Sequence, residues 1–350
     1  MPELRLERLK KKAQQVIKYL SAETASSHSD FVNKAWPTSA SRKDPNYLAW
    51  KFRSNSTTEI KNLLLAIHND TVVGQLGLIP VQINTGKVIT DAKWGCNFKV
   101  LHTYEGGGYG ALLDIQSLGL SDVILGASPT PQSEELKIRL NFKKMEGPFK
   151  MVYPLRFLPF VEMKLHGLPL FLKKIIAGIA GLAFRIWFFL NHINFNHTPV
   201  ENGTYKDVIE QIQKHRSALK IPHIVHDKSF LDWRCGQVNS YRTETLSLYT
   251  SDGSFILYYP SKSYCYLYEY FFKSNGAMKS LLKEVSKIAA EKKCTGLYTY
   301  VNYAELKLQL RKFGFFAFRE KVVVYGYTNN PAVTFGDKFH LDAYDSDGNI

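Results

Sequence analysis

Four glycines in five positions, Gly106, Gly107, Gly108 and Gly110, limit what this chain can fold into more than any other feature. The residues before them, Asn97 to Leu101, are short, apolar and partly β-branched, which predicts a strand. Glu105-Gly106-Gly107-Gly108-Tyr109-Gly110 cannot continue that strand, because glycine loses the most conformational freedom when held in a regular element. The same residues accept φ > 0 and place no Cβ between the backbone and a ligand. Ala111-Leu112-Leu113 then opens an apolar helix running to about Leu118. A strand, a glycine loop and a helix start in succession aim backbone N–H groups at an anion, so a phosphate-bearing ligand is the expectation.

Spacing excludes two common phosphate loops. Gly106-x-Gly108-x-Gly110 is not the dinucleotide pattern G-x-G-x-x-G, and Ala111 follows Gly110 where a P-loop needs Lys and Ser/Thr. What the stretch resembles is the acetyl-CoA motif of the GNAT acyltransferase superfamily, V-x-P-x-x-[Q/R]-x-x-G-x-[G/A]. Val100, Gly108 and Gly110 occupy three of its positions; His102 stands at the proline and Glu105 at the Gln/Arg position. The resemblance implies acetyl-CoA as co-substrate, with its pyrophosphate on the loop amides. It makes Phe98, Val100, Gly106, Gly107, Gly108, Tyr109 and Gly110 the cofactor-binding residues.

The chain order agrees with that superfamily. Leu63–Ile67 and Thr71–Pro80 read as strands joined by an Asn69-Asp70 turn, and Asn84-Thr85-Gly86-Lys87 is a second hairpin turn. After the glycine loop come an apolar run ending at Ala127 and a short helix over Gln132–Leu140, capped by Thr130 or Ser133. Asn141-Phe142 takes the place of the superfamily's Gly-Phe pair, and Asn tolerates the left-handed conformation. A second set of elements echoes the first. Phe230-Leu231-Asp232-Trp233-Arg234-Cys235 matches Tyr47-Leu48-Ala49-Trp50-Lys51-Phe52 in kind, and a helix followed by Gly314-Phe315 parallels Leu136–Phe142. The second glycine region, Phe272-Lys273-Ser274-Asn275-Gly276, has one glycine, so the first copy is expected to bind cofactor and the second to shape the acceptor side.

The expected fold class is therefore α/β (α+β): two tandem GNAT-like domains, each a mixed, mainly antiparallel twisted sheet flanked by helices. The expected divisions are an N-terminal helix and loop (1–44), a GNAT-like domain with the acetyl-CoA loop (45–160), an apolar basic linker helix (161–200), a second GNAT-like domain (201–328) and a tail (329–350). A chain of 350 residues suits two domains. Met1–Leu20 has helical spacing of apolar residues without a signal-peptide core, and Ser21–Asp44 reads as a loop. Cys96, Cys235, Cys265 and Cys294 lack metal-type spacing and read as buried free thiols in a reducing cytoplasm. The closing Asp345-Ser346-Asp347 reads as a disordered acidic end.

A formal charge of +14 favours anionic partners, a cofactor, a glycan, a lipid or a membrane surface. No nucleic-acid motif accompanies it, so no nucleic acid is expected. Leu168–Leu190 is nearly all apolar, interrupted by Lys173, Lys174 and Arg185; it reads either as a linker packed between domains or as a helix lying peripherally in a membrane interface. The protein is thus expected to be cytoplasmic, with peripheral contact to the inner membrane face as the second option.

Acyl transfer needs a polarised carbonyl, a proton acceptor and a donor for the leaving thiolate. Backbone around Phe98–Val100 suits the first. From Ala92 to Tyr104 there is no carboxylate at all, and His102 is the one near-neutral titrating group of that stretch. The catalytic candidates are His102, Tyr104 and Ser133, with Ser133 beside the leaving thiolate; no metal site is expected, and the other histidines are scattered. Three functions are compatible with this pattern: an N-acetyltransferase acting on a small-molecule or glycan amine such as an amino sugar, a FemAB-like aminoacyl transferase, and a non-catalytic acyl-CoA-binding protein.

Overall fold

A computed structural model describes residues 2–192, 198–236, 245–261 and 263–345. Helix α1 (Pro2–Val16) ends before Leu20, where the sequence pattern placed its end. Ile17–Leu20 instead form strand β1, because the edge of β2 (Ile60–His68) offers backbone partners and buries Ile17 and Leu20. The segment expected as a loop contains helix α2 (Ala25–Ala35). Its Ser-rich composition hid a face that buries His28, Phe31 and Val32, and burial outweighs weak local propensity. Helix α3 (Pro45–Lys51) starts where Asp44 accepts from the amides of Asn46 and Tyr47, with Pro45 supplying a preset φ.

Strands β2, β3 (Thr71–Asn84) and β4 (Ile89–Val100) form an antiparallel meander. Asn69 and Asp70, both at positive φ, make the tight turn between β2 and β3. β3 runs through Gly77 without a break because the Phe52 ring lies on it: a Cβ there would meet the ring at 2.4 Å. Helix α4 (Tyr109–Leu118) crosses over to β5 (Val123–Ala127), which lies parallel to β4. Helix α5 (Pro131–Arg139) is capped by Thr130, and Asn141 takes a φ of 62° before β6 (Lys143–Pro154).

Helices α6 (Leu158–Lys164) and α7 (Leu170–His192) follow, then β7 (Glu201–Thr204), α8 (Ile209–Ser217), β8 (His223–Ile224) and α9 (Lys228–Cys235). The remainder is β9 (Leu246–Tyr249), β10 (Phe255–Pro260), β11 (Tyr264–Phe271), α10 (Asn275–Glu291), β12 (Gly296–Val301), α11 (Ala304–Phe313) and β13 (Phe316–Thr328). These strands build one mixed, mainly antiparallel sheet flanked by helices, in the order β1-β2-β3-β4-β5-β13-β6-β12-β11-β10-β9-β7. β13, late in the chain, lies between β5 and β6, and β6 in turn pairs with β12. The parallel pairs are β4/β5 and β11/β12, each joined by a crossover helix.

The two matching segments found in the sequence meet. Trp50 Nε1 donates to the Trp233 carbonyl at 3.1 Å, and Trp233 Nε1 donates to the Trp50 carbonyl at 2.8 Å. Helix α7 packs Phe184 and Phe188 on Tyr153 and Phe313, while its opposite side faces outward. No helix among the described residues is long and apolar enough to cross a membrane. The four cysteines are buried thiols.

The acidic end is not disordered at Asp345. It is buried, and its carboxylate meets His226 Nε2 at 2.7 Å; Ser346 and Asp347 lie outside the described residues. Arg216 Nε donates to Glu269 at 2.8 Å, and its Nη2 bonds to Asp342. His226 Nδ1 contacts Glu269 at 2.8 Å, and Tyr344 donates to the same carboxylate. His226, Glu269 and Asp342 offer donors close enough to share a metal, but the Arg216 guanidinium reaches all three and supplies the positive charge itself. Burial is the largest single influence and opposes ionisation of Glu269 and Asp342, yet Arg216 together with His226 beside Glu269 and His340 beside Asp342 outweighs it and holds both carboxyls below their usual range. Burial also disfavours the His226 cation, but Asp345 and Glu269 prevail and raise it.

Depressed carboxyls stabilise above their unfolded pKa and lose that contribution as pH falls; a raised histidine stabilises at low pH and loses its contribution as pH rises through its folded pKa. Urea unfolding should therefore show maximal stability between these limits, with a loss below about pH 4.5. Arg216→Ala should cost about 3–5 kcal/mol near neutrality by leaving two buried carboxylates uncompensated.

Candidate active site

β4 and β5 stay paired only through Lys93/Ile124, Trp94/Leu125 and Gly95/Gly126, although β4 continues to Val100. A bulge turns it away. Between Gly77/Cys96 and Gln75/Lys99, β4 carries one residue more than β3, and Asn97 sits at a φ of 50°. A buried network holds the bulge: His28 Nε2 meets Gln75 Oε1 at 2.9 Å, and Gln75 Nε2 donates to the Asn97 carbonyl at 3.3 Å. Arg42 donates to the Asn97 side-chain oxygen at 3.3 Å. The cleft thus opens at the carboxyl ends of two parallel strands, the usual place for a ligand in such sheets.

The glycine loop closes the outer end. Gly108, at a φ of 81°, caps α4. The Gly107 amide is taken by the Tyr104 carbonyl at 3.2 Å, whereas those of Gly106, Gly108, Tyr109, Gly110 and Ala111 donate to no group among the described residues. These residues adjoin the positive end of the α4 dipole and border a cavity of about 480 Å3. Phe98, Val100, Tyr104, Gly106, Gly108, Tyr109, Gly110 and Ser133 all line it. Gly110 lets the Phe98 ring approach, since a Cβ would stand 3.1 Å from it.

His102 is not brought into this cleft. Its side chain is 93% exposed and its Nδ1 lies 3.0 Å from the Glu105 carboxylate. That contact gives Glu105 a partner other than a ligand. Tyr109 hydroxyl meets His68 Nδ1 at 2.7 Å, and the Tyr104 ring packs edge-on against Tyr109. Ser133 is buried in the first turn of α5, its amide donating to Thr130 Oγ1 at 3.4 Å.

An inner lobe of about 340 Å3 continues past Phe98, Thr130 and Ser133, through the gap between the diverging strands. Its apolar wall includes Trp94, Cys96, Leu125 and Val322. Its polar groups include Asp114, Lys137, Lys150 and Tyr300, of which Tyr300 comes from β12. Asp114 is the functional candidate the sequence reading missed. One of its oxygens faces Lys137 Nζ at 3.4 Å; the other is buried without a hydrogen-bond partner. Burial pushes the carboxyl up from its usual range, and Lys137 offsets part of that. The available signal was a lone acid inside the apolar run Leu112-Leu113-Asp114-Ile115. The arrangement offers amide donors for an anion at one end and a poised carboxyl with a neighbouring cation at the other.

No protein-family model matches the chain, and no curated protein matches it in sequence. Solved structures match its shape. A GCN5-related N-acetyltransferase from Anabaena variabilis aligns over 90% of this chain and 73% of its own, at 12% identity and a TM-score of 0.57. One from Kribbella flavida aligns over 88% and 70%, at 12% identity and a TM-score of 0.56. Saccharomyces cerevisiae N-myristoyltransferase with bound myristoyl-CoA aligns over 92% and 83%, at 13% identity and a TM-score of 0.58. At such identities the likeness establishes the fold, and this chain has the fold those acyltransferases share.

Proposed function

We propose that this chain is an acyl-CoA-dependent N-acyltransferase built from two GNAT-like halves, with acetyl-CoA as co-substrate and an amine acceptor such as an amino sugar or cell-surface glycan precursor. One observation carries this reading: five amides in and just after the glycine loop, without partners among the described residues, border a cleft that leads between β4 and β5 to the buried Asp114. The fold shared with N-acetyltransferases and N-myristoyltransferase supports it.

In this reading the loop amides take the pyrophosphate, and Phe98 and Val100 flank the pantetheine arm. Bulged backbone at Asn97–Phe98 faces the thioester carbonyl, where a preorganised N–H would stabilise the developing oxyanion. The Asp114 carboxylate, held ionised before the transfer by Lys137, accepts the proton from the acceptor amine and becomes the neutral acid. Ser133, at the junction of the lobes, hydrogen-bonds the departing thiolate. Once the acetyl–nitrogen bond forms and the carbon–sulfur bond breaks, the amine proton resides on Asp114 and CoA leaves through the outer lobe.

Calorimetry with acetyl-CoA tests the binding half. Gly108→Val should weaken binding at least about tenfold, because a β-branched residue is strained at this φ and crowds the amides. Glu105→Gln should tighten binding a few-fold at low salt and less at high salt, since it removes an anion beside the phosphates. Absence of any binding by the unaltered chain would overturn the assignment.

Kinetics test the chemistry. Asp114→Asn should lower kcat by about a hundred- to ten-thousand-fold while leaving acetyl-CoA binding unchanged. The unaltered enzyme should lose activity on acidification, with an apparent pKa above the ordinary carboxyl value because the folded-state pKa is raised, and the variant should lack that limb.

A further inference from the structure

Helix α7 is apolar on two sides. One side packs on the body through Phe184 and Phe188. The other presents Phe171, Ile175, Ile179, Leu182 and Ile186 to solvent, with Ile179 and Leu182 65% and 62% exposed, and Trp187 lies at the margin between the two sides with its ring on Phe184. Their spacing of three and four residues sets them in one stripe along the helix. An exposed apolar stripe of this length marks a surface that is covered in use.

The charges around the stripe indicate what covers it. From Arg156 to His192 the chain carries Arg156, Lys164, Lys173, Lys174 and Arg185 against the single acid Glu162, and α7 itself contains no carboxylate. Lys174 and Arg185 emerge on one flank of the stripe, where long cationic stems reach from an apolar layer to its polar boundary. Arg156 and Arg185 both line a groove of about 530 Å3 between α7 and the body, and neither forms an ion pair among the described residues. A second copy of this chain would bring the same cations against one another. A protein surface would need a matching run of acids beside an apolar strip, whereas an anionic bilayer supplies both in one layer.

We infer that α7 docks on the surface of an anionic phospholipid bilayer, with its outward stripe in the headgroup–acyl boundary and Arg156 and Arg185 on lipid phosphates. The helix lies in the plane of the interface, consistent with the absence of a span among the described residues. Trp187, at the stripe's edge, sits at the depth where indole is favoured. This docking is independent of the acyl-transfer reading.

Vesicle co-sedimentation of the full chain tests it. At physiological salt the protein should pellet with phosphatidylcholine vesicles containing phosphatidylglycerol and stay in solution with phosphatidylcholine alone. Ile179→Glu/Leu182→Glu should lower the bound fraction about tenfold, and Arg156→Gln/Arg185→Gln should lower it on anionic vesicles and weaken its salt sensitivity. All four positions are solvent-exposed, so the thermal midpoints should stay near that of the unaltered chain. Equal binding to both vesicle types, binding to neither, or full binding by the Glu variant would overturn the inference. So would a dimer in sedimentation velocity that the Glu variant converts to a monomer without any vesicle binding, since the stripe would then belong to a second copy.

Discussion

β13 hydrogen-bonds to β5 on one side and to β6 on the other, and the rest of the architecture depends on that placement. It joins strands from both ends of the chain into one sheet, with β6 passing on to β12. Because these contacts are non-local, neither half completes its sheet from its own consecutive residues. The reciprocal Trp50 and Trp233 hydrogen bonds fasten the halves at a second point, each indole satisfying the other's backbone carbonyl.

With β5 held by β13, the bulge at Asn97 has a definite effect. β4 departs from a fixed neighbour, and the space it vacates becomes the cleft. The walls then come from distant parts of the chain: Asp114 from the crossover helix, Val322 from β13 and Tyr300 from β12. The glycine loop contributes the amides, but the inner lobe exists only because the sheet is assembled from both halves.

Charge is handled differently in the two halves. At the cleft, Asp114 is buried with one cation and one of its oxygens has no hydrogen-bond partner among the described residues, a costly arrangement. In the second half, Arg216 satisfies Glu269 and Asp342 together, while Asp345 and Tyr344 bring the end of the chain into the same network. A fully bonded cluster of this kind secures the C-terminal segment against the core.

The sequence by itself determined the elements whose causes are local. The glycine loop and the helix after it, the Asn69-Asp70 turn and the helix start near Thr130 follow from backbone preference and periodicity, while the left-handed Asn141 and the mainly antiparallel α/β class were legible through the resemblance that the glycine loop and the element order carry. Helix α2 and strand β1 did not, because burial and a free sheet edge decide them. Nor did the position of β13, the exposure of His102, the unpartnered oxygen of Asp114 or the burial of Asp345. Each of these depends on which distant residues arrive opposite, and that is set by strand pairing across the whole chain, an arrangement that no local pattern of residues encodes.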